Sequence, residues 1–333
     1  MKLGITGLPG SGKSTVFEAL TRNISDTGSK NEDRIGVIKV PDSRVEVLSA
    51  MYKPAKTIFA QVEYFLPKKT GEKKKDQNVM TPVRDCDALI HVVRNFGGYG
   101  VEAPTPAEDF RTLDQELVLA DLVVAEKRLE RMELDKKRGK QIDGEELSLL
   151  IRCRESLEQE IPLRKHPELA SAHPLRGFAF VSAKPMLVLF NNEDDNDAMP
   201  DVGELANQEN CMIIRGKLEQ ELARMSDEEA QDFLSEFGIT ASATDRVIKA
   251  SYELMGLISF FTVGEDEVRA WTIRKGTPAL NAAGVIHTDI QKGFIRAEVI
   301  SCKDLTEAGS AQEAKKRGTF RLEGKTYEVQ DGD

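Results

Sequence analysis

The chain is poor in cysteine and in long apolar runs, and each shortage excludes a class of protein. Its four cysteines, Cys86, Cys153, Cys211 and Cys302, include no Cys-x-x-Cys pair, so their spacing indicates neither a zinc site nor a disulfide framework. No window holds the roughly 18 apolar residues of a membrane span, and glycines and a lysine interrupt the stretch where a signal peptide would be apolar. We therefore expect a cytoplasmic protein with reduced thiols and no membrane partner.

Positive charge is also in deficit. The 333 residues include 46 Lys and Arg against 56 Asp and Glu, a formal charge of −10, which argues against a uniformly basic coat for duplex nucleic acid but leaves room for a local basic face. Hydrophobic residues make up 40% of the chain, enough to build a folded core. A chain of this length is expected to form about two or three domains.

Short apolar segments alternate with helical patterns along most of the chain. The segments that predict strands are Met1–Thr6, Ile35–Val40, Gln61–Leu66, Ala88–Val93, Met186–Phe190 and Met212–Ile214. Their continuous apolar character is typical of buried parallel strands, and strands interleaved with helices predict an α/β fold with a mostly parallel sheet.

A different pattern separates the fourth and fifth of these strands. Apolar residues recur at spacings of three and four from Phe110 to Val124, and again from Leu147 to Ile161, which predicts two long amphipathic helices. A polar turn at residues 136–144 joins them, so we expect an antiparallel helical hairpin. Two ordinary surface helices of the main domain are the alternative.

After Phe261 the pattern changes to that of a small α+β domain. Short strands are predicted at Val268–Ile273, Phe294–Ile300, Thr319–Leu322 and Thr326–Val329, the last two as a hairpin. Trp271 and Phe294 are expected in its core; stacking on an RNA base among neighbouring Lys and Arg residues is the alternative.

The clearest chemical motif lies at the start of the chain. Gly7 to Ser14 reads GLPGSGKS, which satisfies GxxxxGK[ST] between a predicted strand and a predicted helix and so indicates a phosphate-binding P-loop. Its main-chain N–H groups and Lys13 would bind phosphate, and the Ser14 hydroxyl would hold Mg²⁺. The predicted phosphate-binding residues are Gly7, Leu8, Pro9, Gly10, Ser11, Gly12, Lys13, Ser14 and Thr15.

Several blocks of sequence resemble the YchF/Obg-like ATPases, a family of translation-factor class P-loop GTPase relatives. They are MKLGITGLPGSGKSTVFEALT, IGVIKVPDSRVEVL, DALIHVVRNF and the run from Tyr252 to Ser301. The resemblance implies a P-loop G domain at residues 1–103 and 181–261, an inserted α-helical hairpin or coiled coil at 104–180, and a ubiquitin-like (β-grasp) TGS domain at 262–333.

The resemblance also implies a preference for ATP over GTP, through an Asn-x-x-Glu sequence in place of the Asn-Lys-x-Asp that reads guanine. The matching residues are Asn191, Asn192, Glu193 and Asp194, which fit neither pattern. Arg215, Gly216 and Lys217 follow as the second base-binding segment by order, whereas Ser182-Ala183-Lys184 precedes the Asn191 strand and is set aside. In the alternative interpretation, Glu193 and Asp194 belong only to an acidic loop.

Both switch regions depart from the family pattern. No threonine matches the one that caps the γ-phosphate and Mg²⁺, Thr27 being the nearest, and Val62–Lys69 lacks the second-switch aspartate and glycine. A lysine-rich loop follows, at Lys68, Lys69, Lys73, Lys74 and Lys75. That loop is either a solvated connection or a phosphate- or RNA-binding patch.

These residues predict a P-loop nucleotide-binding protein with Mg²⁺ and ATP (or GTP) as cofactors and slow or impaired hydrolysis. By resemblance it would be a nucleotide-dependent switch, favoured as a monomer, whose partner is the ribosome or its RNA. A hydrolysis-dead nucleotide-binding or RNA adaptor and a small-molecule kinase are the alternatives. No catalytic residue is assigned, and the lone histidines His91 and His287 are interpreted as structural.

Overall fold

The computed structural model describes residues 1–22, 32–68, 81–98, 102–236 and 242–333. The strands in these residues are β1 (Lys2–Thr6), β2 (Arg34–Lys39), β3 (Lys56–Ile58), β4 (Gln61–Leu66), β5 (Ala88–Asn95), β6 (Met186–Asn192), β7 (Asn210–Ile214), β8 (Leu257–Val263), β9 (Glu267–Arg274), β10 (Ala297–Val299) and β11 (Arg321–Glu323). The α-helices are α1 (Lys13–Thr21), α2 (Ser43–Tyr52), α3 (Pro106–Lys137), α4 (Gly144–Glu158), α5 (Pro167–Ala170), α6 (Leu205–Gln208), α7 (Gly216–Leu222), α8 (Asp227–Glu236), α9 (Ala243–Leu254), α10 (Ala279–Ile286), α11 (Thr288–Lys292), α12 (Cys302–Ala308) and α13 (Ala311–Lys316). None of the described helices has the length and apolar character needed to cross a membrane.

The chain forms two compact units. The first comprises residues 1–36 and 63–244, and the second comprises residues 37–62 and 245–333. The domain limits expected from the sequence differ from the limits of these two units. The expected boundary between residues 261 and 262 lies inside β8, and β8 pairs with β9 along its whole length.

A sheet with the strand order β2-β4-β1-β5-β6-β7 is the centre of the first unit. β1 pairs in parallel with β4 and β5, β5 with β6, and β6 with β7. The α/β fold and the mostly parallel sheet predicted from the apolar runs are confirmed, and all six predicted strands are present. Because parallel strands point the same way, the loops after β1, β5, β6 and β7 meet at one edge of the sheet.

The long helix α3 packs on two different partners. Its first turns place Phe110, Leu113 and Leu117 in the core beside the sheet, and its later turns pack on α4 through residues that include Leu129 and Leu150. Asp143 begins α4, where its carboxylate accepts hydrogen bonds from the N–H groups of the first turn. The predicted helical pair is therefore present, and the base of α3 belongs to the core of the sheet.

The second unit contains a three-stranded sheet of order β3-β9-β8, in which β3 runs parallel and β8 antiparallel to β9. One face packs on α10 through Ile258, Phe260 and Ile273. Trp271 packs against this core beneath the guanidinium of Arg269, whose Cζ lies 3.8 Å from the ring centroid. Trp271 and Phe294 are therefore partly buried against this core and do not belong to its fully buried centre.

The predicted strand at Thr326–Val329 is wrong. β11 pairs with β10 instead, and residues 325–329 exchange main-chain hydrogen bonds with the start of α10, where Ala279 N–H donates to the Tyr327 carbonyl oxygen at 2.7 Å and Val329 N–H donates to that of Thr277 at 3.1 Å. A segment whose main-chain groups cap a helix does not form a hairpin ladder with the preceding strand.

Candidate functional site

The glycine-rich segment forms a loop between β1 and α1 at the carboxyl edge of the parallel sheet. Gly12 immediately precedes α1 with φ 90°, in the left-handed region, and no side chain caps the helix. The N–H groups of the first turn thus have no side-chain cap, and the positive end of the helix dipole favours an anion there.

Two glycines are required by close packing. A Cβ at Gly7 would lie 2.4 Å from the carbonyl oxygen of Val92, and a Cβ at Gly12 would lie 2.2 Å from Nδ2 of Asn191. Neither position has space for a side chain, so these glycines let the loop curl tightly against the ends of β5 and β6.

Lys13 folds back across this loop. Its Nζ donates to the carbonyl oxygens of Gly7 and Leu8, both at 2.8 Å, while the Leu8 side chain packs against the sheet core. Pro9 and Gly10 are exposed at the tip of the loop. An ammonium group already held over the loop is in place to contact a phosphate bound by the loop amides.

The other P-loop hydroxyls differ in environment. Ser11 is buried, and its Oγ has no hydrogen-bond partner in the described part of the chain. Ser14 and Thr15 are half-buried in the first turn of α1. Ser14 therefore occupies the position in which a hydroxyl ligand for Mg²⁺ is expected, beside the phosphate-facing amides.

Asn191 joins the P-loop to the second predicted base-binding segment. Its Nδ2 donates to the Ser11 carbonyl oxygen at 3.1 Å, and its Oδ1 accepts from Gly216 N–H at 2.9 Å. The side chain is buried. The structure thus brings together three segments that are about 180 and 25 residues apart in sequence.

The side chain of the next residue, Asn192, stabilises the loop that follows β6. Its Nδ2 donates to the carbonyl oxygens of Asn196 and Ala198, and its Oδ1 accepts from Asn95. Glu193 is exposed and accepts from Gly97 N–H at 2.7 Å. These contacts tie the end of β5 to the end of β6.

Asp194 faces the start of α7. Its Oδ1 accepts from Leu218 N–H at 3.1 Å, and Nζ of Lys217 lies 4.0 Å from Oδ2. The Arg215 guanidinium donates to the main-chain oxygen of Asp194 at 3.4 Å. The Ser182-Ala183-Lys184 segment lies before β6, at the opposite edge of the sheet from the P-loop.

One residue beside the P-loop was not found by sequence reasoning. Phe96 follows β5, and a Cβ at Gly12 would lie 3.7 Å from its Cε1. The signal available in the sequence was its place directly after a buried parallel strand, at the edge where ligands bind in such sheets.

The predicted second switch lies at the end of β4. This strand ends at Leu66, followed by Pro67 and Lys68, and the N–H of Lys68 donates to Asp33 at 2.9 Å. Thr27 and the lysines at 69, 73, 74 and 75 lie outside the described residues.

Within the described ranges, no group of three or more His, Cys, Asp or Glu side chains is arranged to hold a metal.

The two lone histidines differ in environment. His91 is fully buried on β5 and stacks on Phe110, with ring centroids 5.4 Å apart, and neither ring nitrogen has a hydrogen-bond partner in the described residues. Burial lowers the pKa of His91 to about 3, so the ring is neutral. His287 accepts from Asp289 N–H at the start of α11. Both contacts support the structural interpretation.

Comparison with known proteins identifies the family. The chain is 36% identical to the ribosome-binding ATPase YchF of Bacillus subtilis, over 99% of this chain and 96% of that protein. It is 37% identical to the protein of the same name from Haemophilus ducreyi, over 100% and 97% of the two chains. The chain belongs to the YchF family.

Two family models and a solved structure also match the chain. Residues 257–333 match the family YchF-GTPase_C, described as a protein of unknown function (DUF933), and residues 1–48 match the methylmalonyl-CoA mutase-associated GTPase MeaB. The fold is similar to that of the Schizosaccharomyces pombe YchF GTPase, with a TM-score of 0.86 and 28% identity over 100% of this chain and 96% of that one. YchF-family membership thus rests on both sequence and fold.

Proposed function

We propose that this YchF-family protein binds a nucleoside triphosphate, preferably ATP, at the β1–α1 loop and acts as a nucleotide-dependent switch on the ribosome, with slow or impaired hydrolysis. The observation that carries the proposal is the joined site, in which Asn191 holds both the P-loop and Gly216. A loop that is held by Asn191 and leads into a helix with no side-chain cap is preorganised for phosphate.

The phosphate end of the site fits a magnesium nucleotide in part. The loop amides and Lys13 would hold the phosphates, and the Ser14 hydroxyl would hold Mg²⁺, whose charge offsets that of the phosphate oxygens. At the end of β4, Leu66 and Pro67 supply no carboxylate to the metal's water shell. Mg²⁺ would therefore depend on Ser14, water and the phosphates themselves.

The base end of the site carries a carboxylate that is partly engaged within the protein. Oδ1 of Asp194 accepts from Leu218 N–H, which uses one of the acceptor sites that a guanine-reading carboxylate would offer to the base. Phe96, beside Gly12, offers an aromatic face on which a base could stack. The relatives with the same name from Bacillus subtilis and Haemophilus ducreyi are called ATPases.

Hydrolysis is proposed to be slow or impaired because phosphoryl transfer depends on charge placed around the γ-phosphate. Lys13 provides such a charge, but the end of β4 provides neither the aspartate nor the glycine of a second switch.

The ribosome is proposed as partner because the curated relatives are named ribosome-binding. Among the described surfaces, the turn at residues 136–140 suits RNA. Lys136, Lys137 and Arg138 are exposed there, and none of the three has an ion-pair partner among the described residues. Three such cations on a chain of charge −10 would attract phosphates locally.

Titration with fluorescent ATP and GTP analogues in Mg²⁺ tests the proposal, with Lys13→Ala as the loss variant and Lys127→Ala, an exposed lysine on α3, as the matched control. The expected result is saturable binding that favours ATP, is lost in Lys13→Ala and is unchanged in Lys127→Ala. Absence of binding to either nucleotide would contradict the proposal.

A hydrolysis-dead adaptor is the second candidate, and the Leu66-Pro67-Lys68 sequence at the end of β4 favours it. A single-turnover assay separates the two candidates. Release of phosphate that ribosomes accelerate supports the switch, whereas tight nucleotide binding with no phosphate release, with or without ribosomes, supports the adaptor.

A further inference from the structure

The first unit has a cavity at the edge of its sheet that lies away from the P-loop. The cavity has a volume of about 300 Å³ and opens at the amino ends of β5 and β6. Its buried wall consists of Leu169, Leu175, Phe180 and Cys86. Burial raises the pKa of the Cys86 thiol to about 11, so this wall is apolar and uncharged.

Two cations line the same cavity, which the Asp87 carboxylate also lines. They are Lys184, which is half-buried, and Arg176, which is exposed at the rim. The Lys184 ammonium donates to the carbonyl oxygen of Cys86. An ammonium group has three donors, so Lys184 keeps donors that this carbonyl does not use.

Lys184 is partly withdrawn from solvent. Burial lowers its pKa, whereas the nearby Cys86, Asp87 and Asp121 act in the opposite direction and Arg84 adds a small effect in the same direction as burial. Asp121 is held by Arg84 and by main-chain N–H groups. A buried cation in this position is stabilised when an anion enters beside it.

We propose that this cavity binds a small amphipathic carboxylate, whose head group pairs with Lys184 and Arg176 and whose short apolar tail lies against Leu169 and Phe180. A single negative charge fits best, since Asp87 lines the same cavity and would repel a multiply charged phosphate. The volume lies at the lower end of the range for ligand pockets, about 300–1,000 Å³, and so selects a small molecule.

The proposed site gives a role to a segment that the nucleotide site does not use. Ser182-Ala183-Lys184 resembles a base-contacting motif, but Ser182 is buried with its N–H bonded to Asp121 at 2.7 Å, and Ala183 and Lys184 line this cavity. The site is separate from the P-loop, because it lies at the opposite ends of the strands.

Calorimetric titration of the full chain with octanoate tests the proposal, with octanamide as the uncharged probe of the same shape and inorganic phosphate as the multiply charged one. We expect octanoate to bind saturably, and octanamide and phosphate to bind at least about tenfold more weakly. Equal binding of octanoate and octanamide, or no binding of octanoate, would overturn the proposal.

Binding measurements on variants test whether octanoate binds in this cavity. Lys184→Met and Arg176→Gln should each weaken octanoate binding by about tenfold, because each removes one charge-assisted hydrogen bond, whereas Lys127→Met and Arg111→Gln on the exposed face of α3 should leave it unchanged. Lys13→Ala should bind octanoate like the unmodified chain. Unchanged binding in both cavity variants would contradict the assignment.

Protection of Lys184 from acetylation can be measured on the unmodified chain, so this test does not depend on the folding of a variant. Octanoate should slow the acetylation of Lys184 by acetic anhydride, read by mass spectrometry, while acetylation of Lys127 stays constant. Acetylation of Lys184 that is indifferent to octanoate would overturn the proposal even if the probe binds elsewhere.

Discussion

The main-chain N–H of Gly216 donates to Oδ1 of Asn191 at 2.9 Å, and a Cβ at Gly216 would lie only 2.6 Å from that oxygen. Gly216→Ala should therefore displace the Asn191 side chain and release the Ser11 carbonyl from it. We expect a loss of about 1–3 kcal/mol in the free energy of unfolding and about tenfold weaker ATP binding, measured by urea denaturation and nucleotide titration. Gly144→Ala, where a Cβ would meet open space, is the control and should lower neither the free energy of unfolding nor the affinity for ATP.

His91 should make the folded protein sensitive to acid. Its pKa is about 3 when folded and about 6.5 when unfolded, so between these values only the unfolded chain takes up the proton. The free energy of unfolding should fall with decreasing pH by about 1.4 kcal/mol per unit in this window. In His91→Phe, which keeps the stack on Phe110, the loss of stability between pH 7 and pH 5 should be smaller by about 2 kcal/mol.

Urea denaturation at pH 7, 6 and 5 measures this difference. His173→Gln, at an exposed position, serves as the control and should keep the acid dependence of the unmodified chain. A His91→Phe variant with the same acid dependence would show that another group is responsible.

The buried carboxylate of Glu219 caps the start of α9. It accepts from the N–H groups of Ala243 and Thr244 at 2.7 and 3.2 Å and from the Thr244 hydroxyl at 2.8 Å. Glu219→Ala leaves these donors without a partner, so the free energy of unfolding should fall by about 2–3 kcal/mol. Glu221→Ala, an exposed residue on the same helix, should change it by less than about 0.5 kcal/mol.

Neutralising the turn of the helical pair should weaken ribosome binding. The variant carries Lys136→Gln, Lys137→Gln and Arg138→Gln, and its affinity in co-sedimentation should fall by about tenfold at low salt and approach that of the unmodified chain at high salt. The control removes three charges from the exposed shaft of the same helix, through Arg111→Gln, Lys127→Gln and Arg131→Gln. Equal losses in both variants would indicate an effect of net charge alone.

Most of the first unit could be predicted because its elements are encoded by patterns within single, uninterrupted stretches of sequence. A buried parallel strand is apolar along its length, so Ala88–Val93 and Met186–Phe190 stand out in the sequence, and the P-loop is a single uninterrupted motif. Asn191 was predicted to read the base, yet both polar atoms of its side chain are used by the P-loop and Gly216. Its base-binding role stays a prediction.

The features that were not predicted correctly depend on contacts with residues that are distant in the sequence. β3 has only three residues and lacks an apolar pattern, because it exists through its pairing with β9. Phe96 is one of 14 phenylalanines, and only the folded sheet places it beside Gly12. Thr326–Val329 has the residues of a strand, but the start of α10 takes its hydrogen bonds. Local propensity does not contain this information.

The second unit is formed by two segments that lie far apart in the sequence, so one segment is synthesised well before the other. Residues 37–62 belong to it, and β3 pairs with β9, with Lys56 opposite Glu267. At about 5–20 residues per second, this early segment waits roughly 10–40 s for its partner strand to be made. Throughout that time its partner surface is absent, so a nascent chain of this protein must carry an unfinished second unit until β9 has been synthesised.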